Sequence, residues 1–342
     1  MAFGIYRVFE DQGANIKTGA SPSTRSRIFF ALRLVFGLSV VGFLIWKTDV
    51  SRLISTLVRV DLFWLGMAFL VQIIGKFIWT ARWSVLLDIY EIQVSFRRLL
   101  AGLMVGLFFN NFLPTSMGGD FYRGYWILDN KRLYRKSLFI IFIERIIGFV
   151  TLGYIALPAI PFIILYGSNL GNLRYWLVLF MFFLCVAVLL LNPKAYSFLN
   201  NLILGMGVKS FRGERNKIQR SLIVLHRAGN QKRWVYFLSF LTQWVGIAFV
   251  FCIGRSLGLP LELWHYFVIV PIQVLVTLLP ITVNGLGVRE WILILLTDAL
   301  SSGVTSSQAI SLGLLFTLVG LIVSLVGGGF YVAGNRQASV TT

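Results

Sequence analysis

The sequence predicts an all-α membrane protein: a polytopic helix bundle in two halves of inverted topology. Each half carries a broken, re-entrant helical hairpin, giving about six full crossings plus two hairpins. Three observations predict it. Hydrophobic residues make up 57% of the 342 positions and charged ones only 13%, where soluble domains hold about 25% charged residues. Several apolar runs reach the ~20 residues that span a bilayer. A Leu-Pro, glycine and arginine motif occurs twice, 166 residues apart, each time at the end of an apolar arm.

The elements follow in order. Residues 1–27 are polar and lack an apolar core, so they read as a cytoplasmic tail and not as a signal peptide. The first span is Ile28 to Trp46. Ser51 to Val60 mixes apolar and basic residues and suits the membrane interface. The second span, Leu62 to Leu87, contains Lys76, whose long stem is expected to snorkel toward an interface. Phe96 to Leu113 is an apolar arm that runs into "NNFLPTSMGGDFYRG", Asn110 to Gly124. A basic stretch, Asp129 to Lys136, precedes the third span, Leu138 to Pro158, which contains "FIERIIG". The fourth span is Tyr175 to Leu191.

Residues 192–233 form the one long polar segment. Between 209 and 233 its basic residues surround an apolar stripe of Ile218, Leu222 and Leu225. That pattern fits a cytoplasmic surface helix on anionic lipid headgroups, or a solvated basic loop. The fifth span is Trp234 to Cys252. Tyr266 to Leu279 is a second apolar arm, ending in "LPITVNGLGVRE"; a short apolar piece, Trp291 to Leu300, follows. The last span is Ser307 to Val332, and residues 334–342 form a C-terminal tail. Residues 28–333 therefore read as one transmembrane domain with halves 28–165 and 170–333. Trp and Tyr near the span ends form an aromatic belt.

The net charge of +18 would suggest nucleic acid in a soluble chain. Here it follows from the collection of Lys and Arg in cytoplasmic loops, and no nucleic-acid partner is expected. Cys185 and Cys252 lie in apolar runs and read as small core residues. His226 and His265 are far apart, and no HExxH, CxxC, Walker-type loop or GxSxG occurs. No metal, no cofactor and no enzymatic activity are expected.

Basic residues also orient the chain. The tail, the 82–98 region, the stretch after the first motif and the long polar segment hold twenty Lys and Arg, against five on the other side. Both termini are therefore expected in the cytoplasm, with the chain multi-pass in the cell (plasma or inner) membrane. The regions around Arg97 and Lys131 are both basic, yet about 18 apolar residues separate them. A full crossing would put one of them outside, so the segment is expected to dip in and return. Irregular backbone at that depth is tolerated only inside protein or beside a wet cavity.

The second motif repeats this arrangement. Arg123 stands nine residues after Pro114, with Gly118 and Gly119 between; Arg289 stands nine after Pro280, with Asn284 and Gly285 between. Asp120 and Glu290 add an acid beside each arginine. Three full crossings per half is an odd number, so the second half must be inverted, its hairpin descending from outside. Inverted repeats with discontinuous helices are a transporter architecture.

A charge at the bilayer centre costs at least ~2.5–3.5 kcal/mol. Asp120, Arg123, Glu144, Arg145, Arg289 and Glu290 lie at or beside membrane depth, so they form the candidate site. Arginine offers a planar fork of donors suited to phosphate, and broken-helix N-termini add positive potential. The set suits an anionic lipid headgroup, with the acids balancing the arginines or taking up protons. The alternative is that these charges pair only with one another and fix the packing. Asn110, Asn111, Asn284, Thr115, Ser116 and Thr282 are expected to hydrogen-bond backbone freed at the hairpin tips.

"NNFLPTSMGGDFYRGYWI", "ERIIG" and "LLPITVNGLGVRE" resemble the signatures of the lysylphosphatidylglycerol synthase/flippase transmembrane family, which includes the membrane part of the multiple peptide resistance factor. The resemblance covers roughly residues 28–333. It maps the family's polar positions onto Asn111, Pro114, Gly118, Gly119, Asp120 and Arg123; onto Glu144 and Arg145; and onto Asn284, Gly285, Gly287, Arg289 and Glu290. It implies a lipid flippase. The resistance factor carries a soluble aminoacyltransferase domain after its membrane part; this sequence ends at Thr342, so synthesis of the aminoacyl lipid is not expected.

The expected function is a lipid flippase or transporter. It would move an anionic lipid or polyprenyl-phosphate-linked headgroup through a polar cavity between the two hairpins. Arg123, Arg145 and Arg289 would hold the phosphate. Two other classes stay open. A membrane-embedded lipid-phosphate transferase would need a base near a metal-binding acid pair, and no DxD cluster occurs. A non-transporting accessory subunit of a lipid or polysaccharide pathway would tolerate neutralised hairpin charges. Homo-oligomer formation is left open.

Overall fold

Asp61 starts the first long helix. Its carboxylate accepts hydrogen bonds from the Phe63 and Trp64 amides at 2.8 and 3.4 Å, the side-chain cap that an exposed first turn needs. Twenty-eight residues without a proline or charged pair to interrupt them then run to Ile89. The structure, a computed structural model, describes residues 50–111, 118–127, 131–157, 223–277, 285–300 and 303–340, with Thr282 and isolated positions in 39–43 and 175–188.

All regular structure among the described residues is helical. In chain order the helices are α1 (Val50–Val58), α2 (Leu62–Ile89), α3 (Phe96–Asn110), α4 (Gly118–Ile127), α5 (Lys131–Ala156), α6 (Gly229–Ser256), α7 (Leu263–Thr277), α8 (Val288–Leu300) and α9 (Ser306–Val340). Four of these hold a stretch long and apolar enough to cross a membrane: all of α2 and α6, Ser137–Ala156 of α5 and Ser306–Val332 of α9. This is an integral helical membrane protein. The predicted first and fourth spans, the N-terminal tail, the 192–222 part of the basic segment, and the motif positions 112–117, 278–281 and 283–284 lie outside the described residues, apart from the isolated positions already named.

The other helices are short. α3 and α7 have 15 residues, α8 has 13 and α4 has 10. At 1.5 Å per residue none exceeds about 22 Å, against a hydrocarbon core of ~30 Å. Each short pair sits between two long helices, so the order long, short, short, long occurs twice. Gly229 of α6 lies 167 residues after Leu62 of α2, and Leu263 of α7 lies 167 after Phe96 of α3.

The packing recurs with the order. α2 and α6 form the most extensive helix pair. The Asp61 amide donates to the Ser256 carbonyl at 2.8 Å, so the start of α2 meets the end of α6 and the two run antiparallel. Around this pair α3 packs on α4 and α7 on α8; α4 on α5 and α8 on α9; α3 on α9 and α7 on α5. Two large apolar clusters result. One gathers Tyr266, Ile269, Leu312 and Val319 from the second half, and the other Trp83, Leu86, Leu99 and Ile147 from the first. Phe77 on α2, Phe237 on α6 and Leu325 on α9 remain exposed, as expected of faces solvated by lipid.

Small residues bring the short helices in close. A Cβ at Gly119 of α4 would collide with the Gly106 carbonyl of α3, and one at Gly327 of α9 with the Met104 carbonyl of α3. In a bilayer, where lipid is as apolar as leucine, such backbone approach is a main source of helix association.

Candidate functional site

Three helices converge on one buried carboxylate. Successive residues on a helix point about 100° apart, so the pair Glu144 and Arg145 on α5 addresses two neighbours at once. Glu144, 1% exposed, faces α2 and α4. Its Oε1 accepts from Trp79 Nε1 at 2.6 Å and from Arg82 Nη2 at 2.8 Å, and its Oε2 accepts from Arg123 Nη2 at 2.5 Å. Arg145 turns to α4 and donates to Asp120 Oδ2 through both Nε, at 2.7 Å, and Nη2. Asp120 lies in the first turn of α4, where the positive end of the helix dipole favours an acid. Arg123 follows one turn later, its Nε 3.6 Å from Asp120 Oδ1.

Asn110 ties the two short helices together, its Oδ1 accepting from the Gly119 amide at 2.7 Å. This matches the expected bond to freed backbone. Asn111 donates to the Leu107 carbonyl in the last turn of α3 at 3.4 Å and also to Ser324 Oγ of α9 at 2.7 Å. The aromatic rings form the wall. The Arg123 guanidinium lies over Trp83 at 4.5 Å and over Trp79 at 5.5 Å. Gln243 of α6 reaches across to the Gly148 carbonyl of α5 at 2.8 Å.

The second motif builds a separate cluster. Gly285 and Gly287 have φ of 76° and 81°, a region that side chains with Cβ rarely adopt; the sequence "NGLG" supplies glycine at both. Glu290, third residue of α8, accepts from the Gly287 amide at 2.6 Å, which is the reciprocal arm of a capping box. Arg289 donates to Thr317 Oγ1 of α9 at 2.6 Å and lies 4.3 Å from the centre of the Phe316 ring. Thr282 is buried. Asn284 is outside the described residues.

Asp120, Arg123, Glu144 and Arg145 are thus brought together with the Gly118–Gly119 start of α4, while Gly285, Arg289 and Glu290 share the other cluster. Arg123 and Arg289 match when counted from the prolines, but α4 begins at Gly118 and α8 at Val288, 170 residues apart. Arg123 is therefore the sixth residue of its helix and Arg289 the second of its own.

Sequence reasoning missed four residues: Trp79, Arg82, Gln243 and Thr317. Arg82 was counted with Arg97 and Arg98 in a basic cytoplasmic region. It is buried and bonded to Glu144, whereas Arg97 and Arg98 are exposed in the first turn of α3. The signal was present: Arg82 is flanked by apolar residues on both sides, and Trp79, Arg82 and Trp83 share one helix face. Lys76 finds its contacts on its own helix. Its Nζ donates to Gln72 Oε1 at 2.9 Å, one turn away, and lies 5.6 Å from the Trp79 ring.

A family model described as the lysylphosphatidylglycerol synthase TM region matches residues 30–328. The chain belongs to this family. The match spans both clusters, so the ion-paired site of the first half and the capped arginine site of the second are parts of the lysylphosphatidylglycerol synthase transmembrane unit. Its relatives include a UPF0104 membrane protein of Pyrococcus horikoshii, 22% identical over 91% of this chain and 98% of its own length. A UPF0104 membrane protein of Methanocaldococcus jannaschii is 23% identical over 91% of this chain and 94% of its own length. One from Methanothermobacter thermautotrophicus is 24% identical over 77% and 83%. No solved structure matches the chain.

Proposed function

We propose that this protein is a lipid flippase or lipid-linked-substrate transporter of the cell membrane, multi-pass, with both termini in the cytoplasm. Its two halves have inverted topology, and each short-helix pair is a re-entrant hairpin. The antiparallel α2–α6 pair supports the inversion, because these helices hold equivalent places in the two halves. α3 follows the end of α2 and α7 the end of α6, so the two short-helix pairs start at opposite ends of that pair. The lengths of α3, α4, α7 and α8 support hairpins, since none spans the hydrocarbon core.

The observation that carries the function is the cationic excess of the first cluster. Three guanidinium groups, Arg82, Arg123 and Arg145, surround two carboxylates, Asp120 and Glu144. Buried charge is costly unless paired, and a cluster that is net positive among the described residues suits an anionic headgroup. The Arg145 side chain is 30% exposed against 2% for Arg123, so Arg145 meets the headgroup first and Arg123 holds it further in. Arg289 serves the other hairpin. The tails stay in the bilayer, and the substrate is a membrane lipid or a polyprenyl-phosphate-linked group.

We read the chain as a carrier and not a transferase, because Asp120 and Glu144 are both engaged by arginines and neither is placed to act as a base. The basic segment up to residue 233 contacts anionic headgroups; its exposed Arg227 and Arg233 fit that role. Headgroup translocation in proteoliposomes tests the proposal. Arg145→Gln and Arg289→Gln are each expected to slow it about tenfold or more, the worth of one charge-assisted contact. Folded variants that keep the wild-type rate would remove these arginines from the path. Conversion of a lipid donor to a new product in the same vesicles would favour the transferase.

A further inference from the structure

The donors around Glu144 outnumber its acceptors. Glu144 takes Trp79, Arg82 and Arg123, and Asp120 takes Arg145. Three buried donor atoms then have no acceptor among the described residues: Arg82 Nη1, Trp83 Nε1 and Arg123 Nη1; Arg123 Nε faces Asp120 Oδ1 at 3.6 Å. Their side chains are almost fully enclosed; Trp83 is 0% and Arg123 1% exposed. An unmet buried donor is costly, and native proteins leave few of them.

These atoms belong to one neighbourhood. Arg82 and Arg123 grip opposite oxygens of the same carboxylate, and the Arg123 guanidinium stacks on the Trp83 ring. On the α5 side the wall is Gly148, where a Cβ would stand 3.5 Å from Arg82 Nη1. The same added Cβ would stand 3.3 Å from Gln243 Nε2, so Gly148 lets the Gln243 amide and the Arg82 guanidinium approach the α5 backbone.

We propose that Arg82, Trp83 and Arg123 form a binding subsite for a tetrahedral oxyanion, the phosphate group of the transported lipid. The inference rests on the carrier reading and names the part of the substrate that the site grips. A phosphate oxyanion offers several acceptor oxygens to these donors at once and carries the charge that guanidinium groups favour. Stacking on Trp83 closes one face of the Arg123 guanidinium, so its N–H groups act in plane, the geometry that suits phosphate. Glu144 then orients two arginines toward the anion and does not compete for it.

The test uses the full chain in phosphatidylcholine nanodiscs, titrated by calorimetry with dioctanoyl phosphatidic acid and, separately, with inorganic phosphate. The lipid phosphate is expected to bind. Trp83→Phe keeps the ring and removes one N–H; it is expected to weaken binding about fivefold, and Arg82→Gln about tenfold. Should Arg82→Gln fail to fold, Trp83→Phe alone decides. Wild-type affinity in folded Trp83→Phe, or no binding by the wild type, overturns the subsite. Binding of inorganic phosphate without the lipid form overturns the headgroup assignment. Headgroup movement in proteoliposomes separates the two claims: an active wild type with unaltered Trp83→Phe keeps the carrier and removes the subsite, while an inactive wild type removes the carrier.

Discussion

Glu144→Ala is expected to destabilise the protein by about 3–5 kcal/mol, the cost of breaking a buried ion pair by removing one partner. The wild-type carboxylate accepts from Trp79, Arg82 and Arg123 and is 1% exposed. Without it, two guanidinium groups lie near one another in a low-dielectric interior with nothing between them. Glu144→Gln is expected to lose less, because its amide oxygen still accepts while its new N–H₂ faces cations. The double variant Glu144→Ala with Arg82→Met should recover part of the loss, since one stranded charge goes with the acid. Unfolding of purified protein by a denaturant titration in detergent micelles measures all three. If Glu144→Ala unfolds at the wild-type midpoint, the ion pairs do not hold α2, α4 and α5 together.

The sequence made the long apolar helices legible because hydrophobic length is a one-dimensional signal. The span read as Leu62 to Leu87 is α2, Leu62–Ile89; the one read as Trp234 to Cys252 is α6, Gly229–Ser256. The second apolar arm, Tyr266 to Leu279, is α7, Leu263–Thr277, and holds Pro271 inside it. Helix ends were read short where polar residues continue a helix beyond its apolar part, as at Gly229–Arg233. Pairing was harder to read. Glu144 and Arg145 were visible as charges within or beside apolar runs, but their partners lie 21 to 65 residues away in sequence. Arg82 was hidden for a further reason: a charge-counting rule treats arginines near a span end as loop residues, and only tertiary packing says that this one turns inward. The same limit explains the mismatch between Arg123 and Arg289. Spacing from a proline is legible, but the residue at which a helix begins depends on caps such as the Glu290 bond to Gly287.

Gly119→Val is expected to abolish the proposed headgroup transport and to cost at least about 1–3 kcal/mol of stability, the usual range for an overpacked contact. A Cβ at residue 119 would meet the Gly106 carbonyl and carbon and the Asn110 side chain. The obstacle is mostly backbone, so no rotamer change relieves it and α4 must move off α3. Two consequences follow from one displacement. The Asn110 bond to the Gly119 amide breaks, and Arg123, four residues on along the same helix, is drawn away from Glu144. Gly66→Ala on α2 is the matched control: nothing lies within 4 Å of its added Cβ, and alanine favours a helix interior over glycine. It should unfold at or slightly above the wild-type midpoint and carry substrate at the wild-type rate. Gly106→Val should repeat the Gly119→Val result, because its Cβ would press on the Gly119 carbonyl and on Arg123 Cβ. If Gly119→Val instead folds and transports normally, α3 and α4 do not meet backbone to backbone, and the placement of Arg123 beside Glu144 loses its mechanical support.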